Sequence, residues 1–223
     1  MKRNVIDMKK KTLIITIVSI VVALIVIGLL VYFFAIRNND KVSRITETYN
    51  ELSGKENYTF IRKIDDENIV TNIKKGDRAY KEEISQGIKG SLTYYDGNTY
   101  FMNDSIKEYY EYQNNDYIYT EIVNNFLRAK DLEYTEGKEE INGKKYTYEE
   151  VSGYQDFLID PSLYAQDINQ AKTRFYYKGD DLKYIKTIIG DKEELLEISI
   201  EDTADSGVYE VPSDYTNGET DIQ

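Results

Sequence analysis

The side chains able to do chemistry in this sequence are almost all carboxylates. Neither histidine nor cysteine occurs in its 223 residues, so the commonest general base, the thiolate nucleophile and the usual transition-metal ligands are missing. Adjacent acidic pairs at Glu82-Glu83, Glu139-Glu140 and Asp180-Asp181 could in principle do acid–base work or hold a hard cation. No loop has the ligand spacing of a calcium site, and there is no G-x-S-x-G and no glycine-rich phosphate loop. With 40 acidic against 28 basic residues, a solvated surface accounts for such pairs better than a catalytic dyad. The sequence reads as a protein that is not an enzyme, with no metal and no cofactor.

The distinctive residue is tyrosine, which occurs 22 times. Tyrosine suits strands and tolerates half-burial with its hydroxyl in water. A subset could also line an apolar cavity, with a few hydroxyls orienting a ligand headgroup. In residues 92–112, LTYYDGNTYFMNDSIKEYYEY, the pair Asp96-Gly97 separates two runs that alternate like strands, the mark of a hairpin. A two-residue turn there puts Leu92, Tyr94 and Phe101 on one face and Tyr95, Tyr100 and Met102 on the other. A sheet with one wet face carries aromatic residues on one side only, so both faces of this hairpin must be covered. Leu92, Tyr94 and Phe101, facing Ile122 and Phe126 of a following helix, are the candidate ligand-binding residues. The same five could equally be the plain core between sheet and helix.

The elements that position them follow from periodicity. Val42, Ile45, Tyr49 and Leu52 fit one helix face, with Asp40 as N-cap and Gly54 as stop. The period then changes to two in YTFIRKI, IVTNIKK and RAYKEEI, and tight polar turns continue this meander through the hairpin to IKEYYEY. Helical spacing returns over 117–132, where Ile118, Ile122, Phe126 and Ala129 form a stripe. Asn142-Gly143 signals another hairpin, and Asp160-Pro161 the start of a short helix over about 161–171. Three strands and a polar tail after Pro212 complete the chain. The fold class is mainly β (α+β). One antiparallel sheet of nine or so strands should curl into a half-open barrel, with helices covering its concave side.

Ahead of this domain, Leu13 to Ile36 is a run of 24 residues without a charge. At about 1.5 Å per residue it can cross a hydrocarbon core of about 30 Å. The apolar core of a cleavable signal peptide is about 7–15 residues, shorter than this run, and bulky Phe33 precedes Ala35 by two positions. A retained signal-anchor is therefore expected. Five basic residues and one acidic residue precede the run, which places the N-terminus in the cytoplasm. The part beyond is then more acidic than the whole chain's net charge of −12, which argues against nucleic acid as a partner. Without cysteine there is no thiol to carry a lipid anchor.

Four stretches resemble the superfamily of bacterial lipoprotein carriers, the LolA/LolB-like and LppX-like proteins. They are KVSRITETYNELSGKENYTFIRKI, NIKKGDRAYKEEI, YYDGNTYFMND and ISIEDTADSGVYEVPSDY, which are spread between residues 41 and 215. The resemblance lies in their order and carries over no single functional residue. It implies an unclosed β-barrel with helices as a lid and a cavity that holds acyl chains. It also implies a departure, because carriers of that kind diffuse between membranes and this chain is expected to be tethered. The expected organisation is a cytoplasmic tail (1–12), a transmembrane helix (13–36), an extracytoplasmic LolA-like domain (37–215) and a flexible tail (216–223). The expected function is non-catalytic binding of a lipid or other apolar ligand at the outer side of the cell membrane. The alternative is a tethered protein-interaction module, a sensor or envelope scaffold with an envelope protein as partner and a fully packed core.

Overall fold

The computed structural model describes residues 42–165, 167–204 and 207–218, together with Val26 and Ile27. The chain divides into two units, Met1–Val42 and Ser43–Gln223, and the fold described below is that of the second. The expected span Leu13–Ile36 lies outside the described residues apart from Val26 and Ile27, which are helical. Among the described residues no helix is long and apolar enough to cross a membrane.

Two meanders build one sheet. The first comprises β1 (Asn57–Asp65), β2 (Asn68–Lys75), β3 (Arg78–Ser85), β4 (Ile88–Tyr95), β5 (Asn98–Asn103) and β6 (Glu108–Tyr112). The second comprises β7 (Tyr134–Ile141), β8 (Lys144–Ser152), β9 (Ala171–Lys178), β10 (Asp181–Ile189) and β11 (Lys192–Glu201). A short β12 (Thr216–Asn217) follows. Pairing of β1 with β11, with Phe60 opposite Ile200 and Arg62 opposite Ile198, joins the meanders into an open, curled sheet. Its order is β12-β6-β5-β4-β3-β2-β1-β11-β10-β9-β8-β7, antiparallel throughout except that β12 runs parallel to β6. The sheet has twelve strands where nine or so were expected. Both turn residues have positive φ at Asp96-Gly97 and Asn142-Gly143, the hairpin geometry that those dipeptides favour. Gln86-Gly87 does the same, and β4 starts at Ile88 directly after this turn.

Two helices lie on one face. Helix α1 (Arg44–Gly54) is capped by the Ser43 side chain, while the expected cap Asp40 falls outside the described residues. Helix α2 (Tyr117–Lys130) packs against α1 and across β2, β3 and β4. The fully buried Glu149 of β8 docks the start of α1. It accepts hydrogen bonds from Ser43 Oγ at 2.7 Å, from the Arg44 amide at 2.9 Å and from the Ile45 amide at 3.1 Å. A helix N-terminus leaves its first amides without intrahelical partners, and a carboxylate there also meets the positive end of the helix dipole. Replacing Glu149 by Ala should cost about 2–3 kcal/mol, because buried donors to a charged group lose their acceptor. Faster amide exchange confined to residues 44–54 would show it, and unchanged protection would contradict it.

The expected helix over 161–171 is instead two three-residue 3-10 turns, Pro161–Leu163 and Ile168–Gln170. Asp160 caps the first as anticipated, accepting from the Ser162 amide. The Ala165 amide, which an α-helix would turn back on Pro161, goes instead to a side chain from outside the segment, and the two amides just before the turn go to another. Glu194 accepts from Ile159 and Asp160, and Gln155 accepts from Ala165.

The second face of the 92–112 hairpin is covered by the chain itself. Ala204, Tyr209 and Tyr215 pack on Ile73, Tyr80 and Met102. Thr59 and Thr93 donate to the carbonyls of Thr203 and Val208, at 2.6 and 2.7 Å. Thr216 and Asn217, expected to open a loose tail, pair with β6, while 219–223 lie outside the described residues.

Candidate functional site

Register sets the rows of side chains on the helix-bearing face. Asn72, Lys81, Leu92, Phe101 and Tyr110 follow one another across β2 to β6. One row nearer the β3–β4 turn, Val70, Glu83 and Gly90 lie opposite one another. Along β4, alternation puts Ile88, Gly90, Leu92 and Tyr94 on this same face.

Helix α2 covers only the first part of these rows. Tyr119 stacks on Tyr94 with ring centroids 5.1 Å apart. Under the helix, Arg62 Nη2 donates to Glu121 at 2.8 Å and to Asn72 at 3.0 Å. The Lys81 ammonium lies 3.0 Å from the other Glu121 oxygen. Arg62, Asn72 and Glu121 are all buried, and Arg62 Nε has no hydrogen-bond partner among the described residues. Burial alone would raise the Glu121 carboxyl, but Arg62 and Lys81 outweigh it and hold the group below the usual carboxylate range. The cluster is a polar pin between helix and sheet.

Beyond the helix the face opens. Glu83, Ser85, Gln86, Ile88, Gly90, Leu92 and Phe101 line a groove of about 460 Å³, within the size range of small-molecule sites. Leu92 and Phe101 are half-buried, and Ile88 at its mouth is 75% exposed. Gly90 forms the floor between Ile88 and Leu92, and a Cβ built on it would meet nothing within 4 Å. A second depression of about 340 Å³ is polar, lined among others by Glu51, Lys55, Asp180, Asp181 and Asp202.

The structure therefore divides the five candidate residues. Leu92 and Phe101 line the groove, and Tyr94 is half-buried beneath Tyr119. Ile122 and Phe126 are buried in the main core with Phe60, Phe157 and Phe175. Phe126 lies 4.9 Å from the Phe157 ring, 5.9 Å from Phe175 and 6.0 Å from Phe60, centroid to centroid. The space anticipated between sheet and α2 is filled by these rings. Spacing along β4 and α2 shows that both faces are apolar, but not how far the helix extends over the strands. Gly90 and Glu83 are not among the expected site residues, though a glycine within an alternating strand is a legible signal of close approach or open space.

The acidic pairs do not form dyads. Glu82 and Glu83 are neighbours on one strand and point to opposite faces, as do Glu139 and Glu140. Glu82 accepts from Tyr80 and pairs with Lys89 at 2.6 Å, while Glu139 meets Arg174, Tyr176 and Lys186. Among the described residues no group of three or more acidic side chains could hold a metal ion.

No family model and no curated protein matches the sequence. Solved structures do resemble the fold. An uncharacterized conserved protein from Thermus thermophilus aligns over 78% of this chain and 96% of its own, at 8% identity and a TM-score of 0.45. LprF from Mycobacterium bovis aligns over the same shares at 8% identity and a TM-score of 0.38. The Mycobacterium tuberculosis lipoprotein LppX aligns over 71% of this chain and 92% of its own, at 11% identity and a TM-score of 0.41.

Proposed function

We propose that this domain binds a lipid or another apolar chain, without catalysis, in the groove over Gly90. One observation carries the reading. Leu92, Ile88 and Phe101 surround a glycine floor that neither described helix covers, while the main apolar cluster under α2 is packed. The ligand would lie along β4 with Leu92 and Phe101 as its inner wall. The filled core beneath α2 supports the alternative, a protein-interaction module, only for that region, and the groove lies outside it. Tethering by Leu13–Ile36, with the domain on the outer side of the membrane, is part of the proposal and rests on hydropathy and flanking charge.

The test is a side chain that fills the floor. A Cβ at Gly90 meets no atom within 4 Å and the rest of a leucine extends into the open groove, replacing a residue unfavourable in a strand, so the fold should be retained. With the full chain, octan-1-ol should shift the Ile88 and Leu92 methyl resonances saturably. In Gly90→Leu those shifts should weaken by about tenfold or more in affinity, the equivalent of about 1.4 kcal/mol. Identical titrations in the two proteins would remove the groove from consideration.

A further inference from the structure

The groove is apolar on one side and charged on the other. Glu83 lies directly opposite Gly90 in the β3–β4 register, so its carboxylate stands beside the floor. Each cation nearest to it is engaged elsewhere. Lys81, two residues before it on the same face, is bound to Glu121 at 3.0 Å. Lys89, next to Gly90, points to the opposite face and pairs with Glu82 at 2.6 Å. Arg62, in the same row two strands away, is held by Glu121 and Asn72. No hydrogen bond or ion pair joins the Glu83 carboxylate to any described residue. An uncompensated carboxylate at the rim of an apolar groove is costly as a packing element, and it attracts a cation strongly where water is partly excluded. The Phe101 ring adds a π face, and the Ser85 hydroxyl and Gln86 amide add hydrogen-bond acceptors. The chain's net charge of −12 disfavours an anionic head and favours a cationic one.

We infer that the groove is built for a small amphiphile with a cationic head, an aliphatic chain ending in an ammonium group that Glu83 receives. The inference rests on the groove being the ligand site, and it adds the sign of the ligand's charge. A volume of about 460 Å³ suits one such molecule rather than a protein segment. The chain would lie over Gly90 against Leu92 and Ile88, with the ammonium between the Glu83 carboxylate and the Phe101 ring.

Three probes of equal chain length, octylammonium, octan-1-ol and octanoate, separate this inference from the one beneath it. Each is titrated into the full chain while the Ile88 and Leu92 methyl resonances are followed. Octylammonium should bind about tenfold or more tightly than octan-1-ol, octanoate should bind most weakly, and added salt should narrow the gap. Glu83→Gln should remove the preference, bringing octylammonium down to about the affinity of octan-1-ol. Glu82→Gln, on the same strand but the opposite face, should preserve the preference. If octan-1-ol binds in the groove and octylammonium binds no tighter, the cation assignment fails while the apolar groove stands. A preference that survives in Glu83→Gln overturns the assignment in the same way. If none of the probes moves these resonances, the groove reading falls, and the cation assignment with it.

Discussion

Phe126→Ala should destabilise the domain by about 3–5 kcal/mol, the range for removing a large aromatic side chain from a packed interior. Phe126 is fully buried, with Phe60, Phe157 and Phe175 around it and Ile122 one turn away on the same helix. Removing the ring leaves a void that three rigid neighbours can close only by moving strands β1 and β9 or the loop after β8. At roughly 2–4 °C per kcal/mol for a domain of this size, the melting temperature should fall by roughly 6–20 °C. Urea denaturation of the two proteins gives the difference directly. The folded variant should still bind octan-1-ol, because the groove is bounded by Leu92 and Phe101 and not by Phe126. A loss below about 1 kcal/mol would mean that the space under α2 is poorly packed. That would return the ligand site to the sheet–helix interface.

Glu121→Gln should cost a comparable amount, about 3–5 kcal/mol, because it leaves buried Arg62 and nearly buried Lys81 without their counter-charge. The cost is that of two stranded cations rather than the value of a favourable pair. Replacing the whole cluster, with Arg62→Met, Lys81→Met and Glu121→Leu together, should therefore recover most of the loss. If the triple variant is no more stable than Glu121→Gln, the cluster contributes through hydrogen-bond geometry that apolar groups cannot replace. The pH dependence has a defined sign. Glu121 is held below its unfolded value, so its contribution is fully present above about pH 4.3, the ordinary glutamate value. It is lost as pH falls through the lower folded value, since the unfolded chain binds the proton first. As pH falls below about 4.3 the wild type should lose stability more steeply than Glu121→Gln. Equal slopes would show that the carboxylate is not perturbed in the folded state.

Several features of the fold are local enough to be legible in the sequence. Asp96-Gly97 and Asn142-Gly143 specify turns whose two central residues need positive φ, and both turns form. Alternation across Asp96-Gly97 places Leu92, Tyr94 and Phe101 opposite Tyr95, Tyr100 and Met102, and the β4–β5 register agrees. The stripe Ile118, Ile122, Phe126 and Ala129 gives α2 its buried face. Such signals act over a few residues, where dihedral preference and side-chain period suffice. Asp160-Pro161 marks the limit of this kind of reading. Its cap forms, but the Gln155 side chain takes the Ala165 amide that a continuing α-helix would need, and the helix stops after one turn.

By itself, then, the sequence determined a mainly β domain without histidine or cysteine chemistry, its hairpins, its two helices and the faces on which apolar residues lie. Three matters depended on tertiary structure. The β1–β11 pairing joined two meanders, and so brought Phe60 of the first beside Phe157 and Phe175 of the second to fill the space under α2. The segment after β11 returned over the second face of the hairpin, where Tyr209 and Tyr215 meet Tyr80 and Met102. Helix α2 covered Tyr94 but not Gly90, which left Leu92 and Phe101 open and Glu83 without a partner among the described residues. Each outcome is set by contacts between residues far apart in the chain. Hydrophobic period fixes which way a side chain points, and only the assembled sheet and helices decide what it meets.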